Sequence, residues 1–412
     1  MPAPVVAIIG AGQAGFQTAA SLRDAGFAGR VVLIGHEPVL PYQRPPLSKS
    51  YLAGQSAVDD LWLRPVEFYA KQHIDLVYGD AVTAIDRGQR RLRLASGMEF
   101  SWDHLVFATG AGCRPLAVPG AELDGVLALR TLADADDRRQ RLNEASEVVI
   151  VGAGFIGLEF AAVALARGTR VHIVEVTRQP MGRVVSAPVS RFFTEAHIGW
   201  GAEVALGAGV VRILGAGGRV TGVETTDGRR IPADLVLICI GVIPNTTLAR
   251  DAGLAVDDGV IVDEYLVTSD PAISAIGDCA NFPTPFAPGR VRLEAVQNAV
   301  DQGRCVADRL AGRPVPYQKV PWFWSDQGDL KLQIAGITIG HDTSVLRGDP
   351  AARNFSVFCF RGRRLIGVES VNRTADHVVA RRVLAGDPAL SPEQAADEGY
   401  DLRAHARSLQ GR

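Results

Sequence analysis

Two short apolar runs, each closed by a glycine-rich turn, set the layout of the chain. The first is Val5–Ile9 in "VVAIIGAGQAG", followed by a helix through "FQTAASLRDAG" and a second apolar strand, "RVVLIG". The same order returns in "VVIVGAGFIGLEFAAVALARGTRVHIVE", with strands over Val148–Val151 and Val171–Val174. Each half closes on a further apolar strand followed by glycine and proline, "HLVFATGAGCRP" and "DLVLICIGVIPN", a crude internal duplication of βαβ units. From about residue 245 come "TSDPAISAIGDCA", a helical "EAVQNAVDQGRCVADRLAG" and the Pro-rich "GRPVPYQKVPWFWSD". A last segment, 320–412, has strand-like runs ("DLKLQIAG", "NFSVFCFRGRRLIGVESV") and a helical tail. The pattern predicts an α/β protein with two Rossmann-like dinucleotide-binding domains and a C-terminal α+β domain.

Composition narrows the function classes. At 412 residues the chain exceeds what one hydrophobic core organises, so two or three domains are expected. A formal net charge of −2 argues against nucleic acid as partner. No run approaches the ~20 apolar residues that cross a bilayer. "MPAPVVAIIGAG" enters a strand directly and lacks a basic leader, so a cytoplasmic protein with no membrane contact is expected. The five cysteines, Cys113, Cys239, Cys279, Cys305 and Cys359, are scattered without C-x-x-C or other metal-type spacing; free thiols and no metal site follow.

The glycines carry the chemistry. Gly10, Gly12 and Gly15 stand in G-x-G-x-x-G register between strand and helix, where they allow a tight turn, close approach of backbone to pyrophosphate, and helix–strand packing. The free amides of the helix N-terminus would bind the diphosphate. The carboxylate expected to hold the ribose is displaced: Gly35 ends the second strand, His36 follows, and Glu37 is the nearest acid, with an exposed surface glutamate as the competing reading. The second motif, Gly152, Gly154 and Gly157 with Phe155 and Ile156 between them, is complete, since its second strand ends directly on Glu175. A carboxylate accepts from a 2′-hydroxyl and repels a 2′-phosphate, so this site should prefer NADH, although Arg178 and Arg183 follow closely. Two dinucleotide sites require an acceptor for the nicotinamide's electrons, and a tightly held flavin is the usual one. Gly277–Asp278 fits a second flavin contact, and "LVFATG", ending Ala108–Thr109–Gly110, fits the return strand of the same domain.

"PYQRPPLSK", residues 41–49, is a stiff loop, because proline locks φ and removes a donor. After it, "SKSYLAG" predicts a short helix with Ser48 as N-cap and Gly54 past its end. Lys49 would then lie in the first turn, where the helix dipole disfavours a cation.

Together these residues resemble the two-dinucleotide flavoprotein family that includes glutathione reductase, and within it the bacterial NADH-dependent ferredoxin reductases of the putidaredoxin reductase type. The resemblance spans essentially the whole chain and rests on "GAGQAG", "PYQRPPLSK", "LVFATG", "LRTLADA", "VGAGFIGLE", "GVIPN", "TSDPAISAIGDCA" and "PWFWSDQ". It implies a discontinuous FAD domain (1–113 and 245–319) interrupted by an NAD domain (114–244), with 320–412 as an interface domain. It further implies FAD contacts at Ala14, Arg44, Lys49, Val82, Arg130, Asp278 and Val296, and NAD contacts that take in Arg183 and Gly241. Glu159, in "GLE", matches a carboxylate near the nicotinamide and flavin N5. Position 36, commonly aspartate in the family, is His36 here.

Disulphide reductases of this superfamily carry a redox-active cysteine pair soon after the first βαβ unit, whereas here no cysteine precedes Cys113. Electrons must therefore leave the flavin for an external acceptor, and the resemblance implies a 2Fe–2S ferredoxin serving a haem-thiolate monooxygenase or ring-hydroxylating dioxygenase. Lys49 is expected beside flavin N5, paired with Glu159, as a catalytic cation. Trp322 and Trp324 share one face of an extended run, and Trp324 is the candidate on the acceptor side. Arg64 and Arg304 match positions that pair with an acidic ferredoxin. A monomer or weak homodimer is expected. The alternatives are an NADH-dependent rubredoxin reductase and a flavoprotein resembling apoptosis-inducing factor.

Overall fold

In the computed structural model, which describes residues 3–386 and 389–409, both early apolar runs become central strands of parallel sheets. The chain divides into two compact units. One holds residues up to Gln43, Val58–Gly112 and Ile243–Lys319; the other holds Arg44–Ala57, Cys113–Val242 and the chain from Val320 onward.

In the first unit the sheet order is Ile273–Ala275, His104–Phe107, Val5–Ile9, Arg30–Gly35, Ile74–Tyr78, with every pairing parallel. Such strands are covered on both faces, which is why they read as unbroken Val/Ile/Leu runs. The chain starts in the middle strand, builds outward to one side, then returns to the other. A switch point therefore lies between Val5–Ile9 and His104–Phe107, where open α/β sheets bind ligands. A three-stranded antiparallel sheet, Val82–Asp86, Arg91–Leu94 and Glu99–Ser101, completes the β structure carrying Val82. Helix Gln13–Asp24 packs on helix Val296–Leu310 at Gly303, where a Cβ would stand 3.1 Å from the Ala14 carbonyl oxygen and from the Thr18 amide nitrogen.

The second unit repeats the plan: Glu203–Leu206, Arg170–Glu175, Glu147–Val151, Leu235–Ile238 and Val126–Leu127, again all parallel. To it belongs the C-terminal sheet, antiparallel throughout, in the order Trp322–Gln327, Leu330–Gly336, Arg364–Val371, Asn354–Arg361, Thr343–Asp349. Helix Thr374–Ala385 closes one core of this sheet with Val379, Val383 and Leu384 against Ala335, Phe358 and Val368. The sheet is tied to the second βαβ unit by buried side chains. Phe323 meets Phe155 at 4.5 Å between ring centroids. The Glu369 carboxylate accepts from the backbone amide (2.8 Å) and hydroxyl (2.5 Å) of Ser186, at the start of helix Ala187–Gly199.

One local expectation fails. No helix starts at Ser48; a short 3-10 helix spans Pro45–Ser48, and Lys49 is its C-terminal cap. Two prolines occupy its first positions, where a fixed φ and a missing N–H cost nothing, so nucleation moves upstream. Lys49 thus follows the helix, the end a cation prefers, and the argument from a misplaced charge falls away. Gly54 does close the segment, in a turn at φ +77°.

Replacing Gly303 by valine should drive the two helices of the first unit apart, lower unfolding free energy by about 1–3 kcal/mol, and loosen flavin retention. A thermal melt of the purified protein, read beside its flavin absorbance, checks this.

Candidate active site and nucleotide sites

Around the first motif, backbone approaches backbone. A Cβ on Gly10 would lie 2.1 Å from the Ala108 carbonyl oxygen, and one on Gly15 would lie 1.9 Å from that of Gly10. Gly12 has nothing within 4 Å of a Cβ position, which leaves an open approach at the start of helix Gln13–Asp24. A Cβ on Gly277, at φ +71°, would lie 3.1 Å from the Ala14 methyl, and the Gly277 amide donates to Gln302 Oε1 at 2.7 Å. The first glycine motif, Gly277–Asp278 and the helix starting at Val296 therefore gather at one end of the sheet. Thr109 is held by Asn245, which accepts its hydroxyl proton (2.7 Å) and donates to its carbonyl (2.8 Å). Glu37 is half-buried and accepts from the Tyr42 hydroxyl at 2.6 Å, whereas His36 is exposed.

The second motif is built alike: a Cβ on Gly152 would lie 2.4 Å from the Cys239 carbonyl oxygen, and one on Gly157 would lie 2.5 Å from that of Gly152. Glu175 is anchored at both oxygens. Oε2 accepts from the Ala153 amide, inside the glycine turn, and Oε1 accepts from the amide and hydroxyl of Thr177, all at 2.8 Å. Arg183 and Gly241 are exposed and near one another, with Arg183 Nη2 3.7 Å from a Cβ position on Gly241. Arg178 is exposed as well.

The second unit also contains a buried charge pair. Lys49 Nζ lies 2.7 Å from Glu159 Oε2, with the lysine side chain 17% exposed and the glutamate 3%. Ser48 Oγ donates to the same oxygen at 2.5 Å, and Ser325 Oγ donates to Oε1 at 2.6 Å. Glu159 lies on helix Phe155–Ala166, Ser48 and Lys49 on the proline loop, and Ser325 on the first strand of the C-terminal sheet. Arg44, at the loop's start, donates to the Arg130 carbonyl at 2.7 Å. A nearly dry carboxylate is costly unless paired and hydrogen-bonded, and here three donors converge on it.

Residues 4–303 match the family described as pyridine nucleotide-disulphide oxidoreductase, and residues 322–406 match its reductase C-terminal domain. The chain belongs to the pyridine nucleotide-disulphide oxidoreductase family. It is 50% identical over 398 residues to rhodocoxin reductase of Rhodococcus erythropolis, covering 97% of this chain and 93% of that one. The ferredoxin reductase for the CYP199A2 system of Rhodopseudomonas palustris superposes with a TM-score of 0.96 at 51% identity, covering 98% and 99% of the two chains. Putidaredoxin reductase, solved as a covalent complex with putidaredoxin, superposes with a TM-score of 0.96 at 37% identity over the whole of both chains.

The cofactors of this family, FAD and NAD(H), fit the residues present. Helices Gln13–Asp24 and Val296–Leu310 both begin without a side-chain cap or an acidic first turn, so their free amides suit a diphosphate. Helix Phe155–Ala166 begins in the same way at Gly154. The dithiol for which the family is named is absent: all five cysteines are free, and none lies on the proline loop. Burial pushes the Cys113 and Cys239 thiols up, which keeps them neutral.

Trp322 and Trp324 do share a strand face, with ring centroids 5.7 Å apart, and Arg381 lies 4.7 Å over the Trp322 ring. Arg304 is 59% exposed and lightly engaged by Asp301 at 3.4 Å. Arg64 is exposed but rests on the rings of Phe16 and Phe68, at 5.9 and 5.6 Å, so part of its role is packing. The residues that sequence reasoning missed are second partners: Ser48, Ser325, Tyr42, Thr177 and Gln302. Only Ser325 had a signal, since alternation in "WFWSDQ" sends it to the face opposite the tryptophans.

Replacing Lys49 by methionine should strand the Glu159 charge and cost about 2–4 kcal/mol, the lower part of the range for buried pairs because Lys49 keeps some solvent. Adding Glu159→Gln should recover at least about 1 kcal/mol of that loss. Denaturant unfolding of the two single variants and the double variant gives the coupling.

Proposed function

We propose that this chain oxidises NADH at its second motif and delivers the electrons one at a time to a 2Fe–2S ferredoxin that supplies a haem-thiolate monooxygenase or ring-hydroxylating dioxygenase. The observation that carries this reading is that the loop where a disulphide reductase would keep its dithiol instead carries Lys49, paired with Glu159. With no thiol there to accept electrons, the exit is to an external carrier. Full-length similarity to ferredoxin-type reductases, one of them solved bound to putidaredoxin, supports the same acceptor class.

Bound FAD supplies the acceptor for the two-electron step and the one-electron exit. The chain's residues do the rest. The glycine turns and uncapped helices hold the diphosphates, with Ala14, Val82, Ala108, Thr109, Gly110, Arg44, Arg130, Asp278 and Val296 as flavin contacts. Glu37, held by Tyr42, takes the adenosine ribose in preference to the exposed His36. Glu175, fixed through Ala153 and Thr177, accepts from the 2′-hydroxyl of NADH and repels a 2′-phosphate. Lys49 sets positive charge at the flavin's N5 edge, with Glu159 as its counter-ion, and Trp324 lines the acceptor side. Arg64 and Arg304 steer an acidic ferredoxin. No helix among the described residues is long and apolar enough to cross a membrane, and the free thiols suit a reducing cytoplasm, where the chain acts as a monomer or weak homodimer.

Cytochrome c reduction with NADH or NADPH, with and without 2Fe–2S ferredoxins, tests the reading; activity indifferent to every ferredoxin would end it. Arg304→Glu should weaken ferredoxin reduction and leave ferricyanide reduction intact, and it is a cleaner probe than Arg64, which also packs. Equal loss of both activities would remove Arg304 from the docking surface. Glu175→Ala should narrow the preference for NADH over NADPH by roughly tenfold, the worth of one charged hydrogen bond, in the ratio of kcat/KM values.

A further inference from the structure

The Glu159 carboxylate is one end of a longer buried chain. Ser325 Oγ donates to Glu159 Oε1 at 2.6 Å and accepts from Gln327 Nε2 at 3.2 Å. Gln327 Oε1 in turn meets His197 Nε2 at 3.0 Å, and its Nε2 lies 3.7 Å from the Met181 sulfur. Ser325, Gln327 and His197 are fully buried. Ser325 and Gln327 share one face of strand Trp322–Gln327, with Phe323, whose ring lies on Phe155.

Proton directions follow link by link. Burial lowers the pKa of His197, which keeps it neutral, and its Nδ1 has no hydrogen-bond partner among the described residues, so Nε2 carries the proton and donates to Gln327 Oε1. That fixes the amide with its NH2 towards Ser325. A hydroxyl has a single proton; with its oxygen already accepting from Gln327, Ser325 spends that proton on Glu159. Each member is thereby held in one orientation, from a histidine on helix Ala187–Gly199 to the counter-ion of Lys49.

We propose that Ser325 and Gln327 are positioning residues that hold the Glu159 carboxylate aimed at Lys49, so that flavin reduction by NADH depends on a strand of the C-terminal sheet. The proposal rests on the reading that the Lys49–Glu159 pair serves the flavin. Lys49, from the proline loop, faces Glu159 directly, and the nearby Cys239 thiol is kept neutral by burial. His197 lies at the far end of the chain.

The test is single-turnover flavin reduction by NADH, read beside the flavin absorbance spectrum, in holoenzyme carrying Ser325→Ala or Gln327→Met. The limiting rate should fall roughly tenfold in Ser325→Ala, the worth of one charged hydrogen bond, and by less in Gln327→Met, while the NADH concentration giving half the limiting rate stays within about twofold. A purely structural role would lower the melting temperature and leave the limiting rate and flavin spectrum of the folded holoenzyme unchanged. Limiting rates and spectra coincident with wild type in both variants overturn the proposal, whatever their stability. If Ser325→Ala does not retain flavin, Gln327→Met alone decides by the same criterion. Absence of NADH-driven flavin reduction in the wild type would instead refute the oxidoreductase reading, so the two failures are distinct.

Discussion

A carboxylate removed from water dominates the architecture of the second unit. Glu159 is almost fully buried, and an ionised group there is tolerated only because Lys49, Ser48 and Ser325 converge on it. Those partners come from two parts of the chain, a proline-rich loop and a C-terminal strand, and the carboxylate itself from a third, helix Phe155–Ala166. Satisfying one charge thus requires residues 44–57, 113–242 and the segment from 320 to take their places together. Apolar packing, such as Phe155 on Phe323, adds adhesion without the same directionality. The buried Glu369–Ser186 contact ties the same sheet to the same unit a second time, at the start of helix Ala187–Gly199.

The first unit solves a different problem, the close approach of backbones. Gly10 and Gly15 stand where any side chain would collide with carbonyl oxygens, and at Gly303 a side chain would press tightly on carbonyl and amide atoms. Removing those side chains lets helix, strand and return loop meet at the switch point and leaves amides free at the helix ends. Fold and nucleotide site are therefore one arrangement. The glycines that permit the packing also open the surface a diphosphate requires, as the empty surroundings of Gly12 illustrate.

The proline loop holds a serine and a lysine and no cysteine, and the lysine is neutralised by a counter-ion more than by solvent. A fixed charge pair cannot accept electrons, but it can hold a constant potential beside groups that do.

How much of this was legible depended on the range of the interaction. The parallel strands, glycine turns, helix 296–310 and alternating face of Trp322–Gln327 follow from local pattern, because strand and helix periods are backbone properties. The proline loop forms its helix at Pro45–Ser48, upstream of the start that Ser48 as N-cap predicts, since proline's preference for the first helical positions outweighs the capping tendency of Ser48. Ser48 as a donor to Glu159, Ser325 as another, Tyr42 on Glu37 and Thr177 on Glu175 left little or no trace, as a serine or tyrosine looks alike whether solvated or paired. By itself, then, the sequence determined the elements, their order and the two nucleotide motifs, all encoded by neighbours. Only the tertiary structure decided which hydroxyls reach which carboxylate, because a hydrogen bond between residues 111 or 166 positions apart is set by how the elements pack.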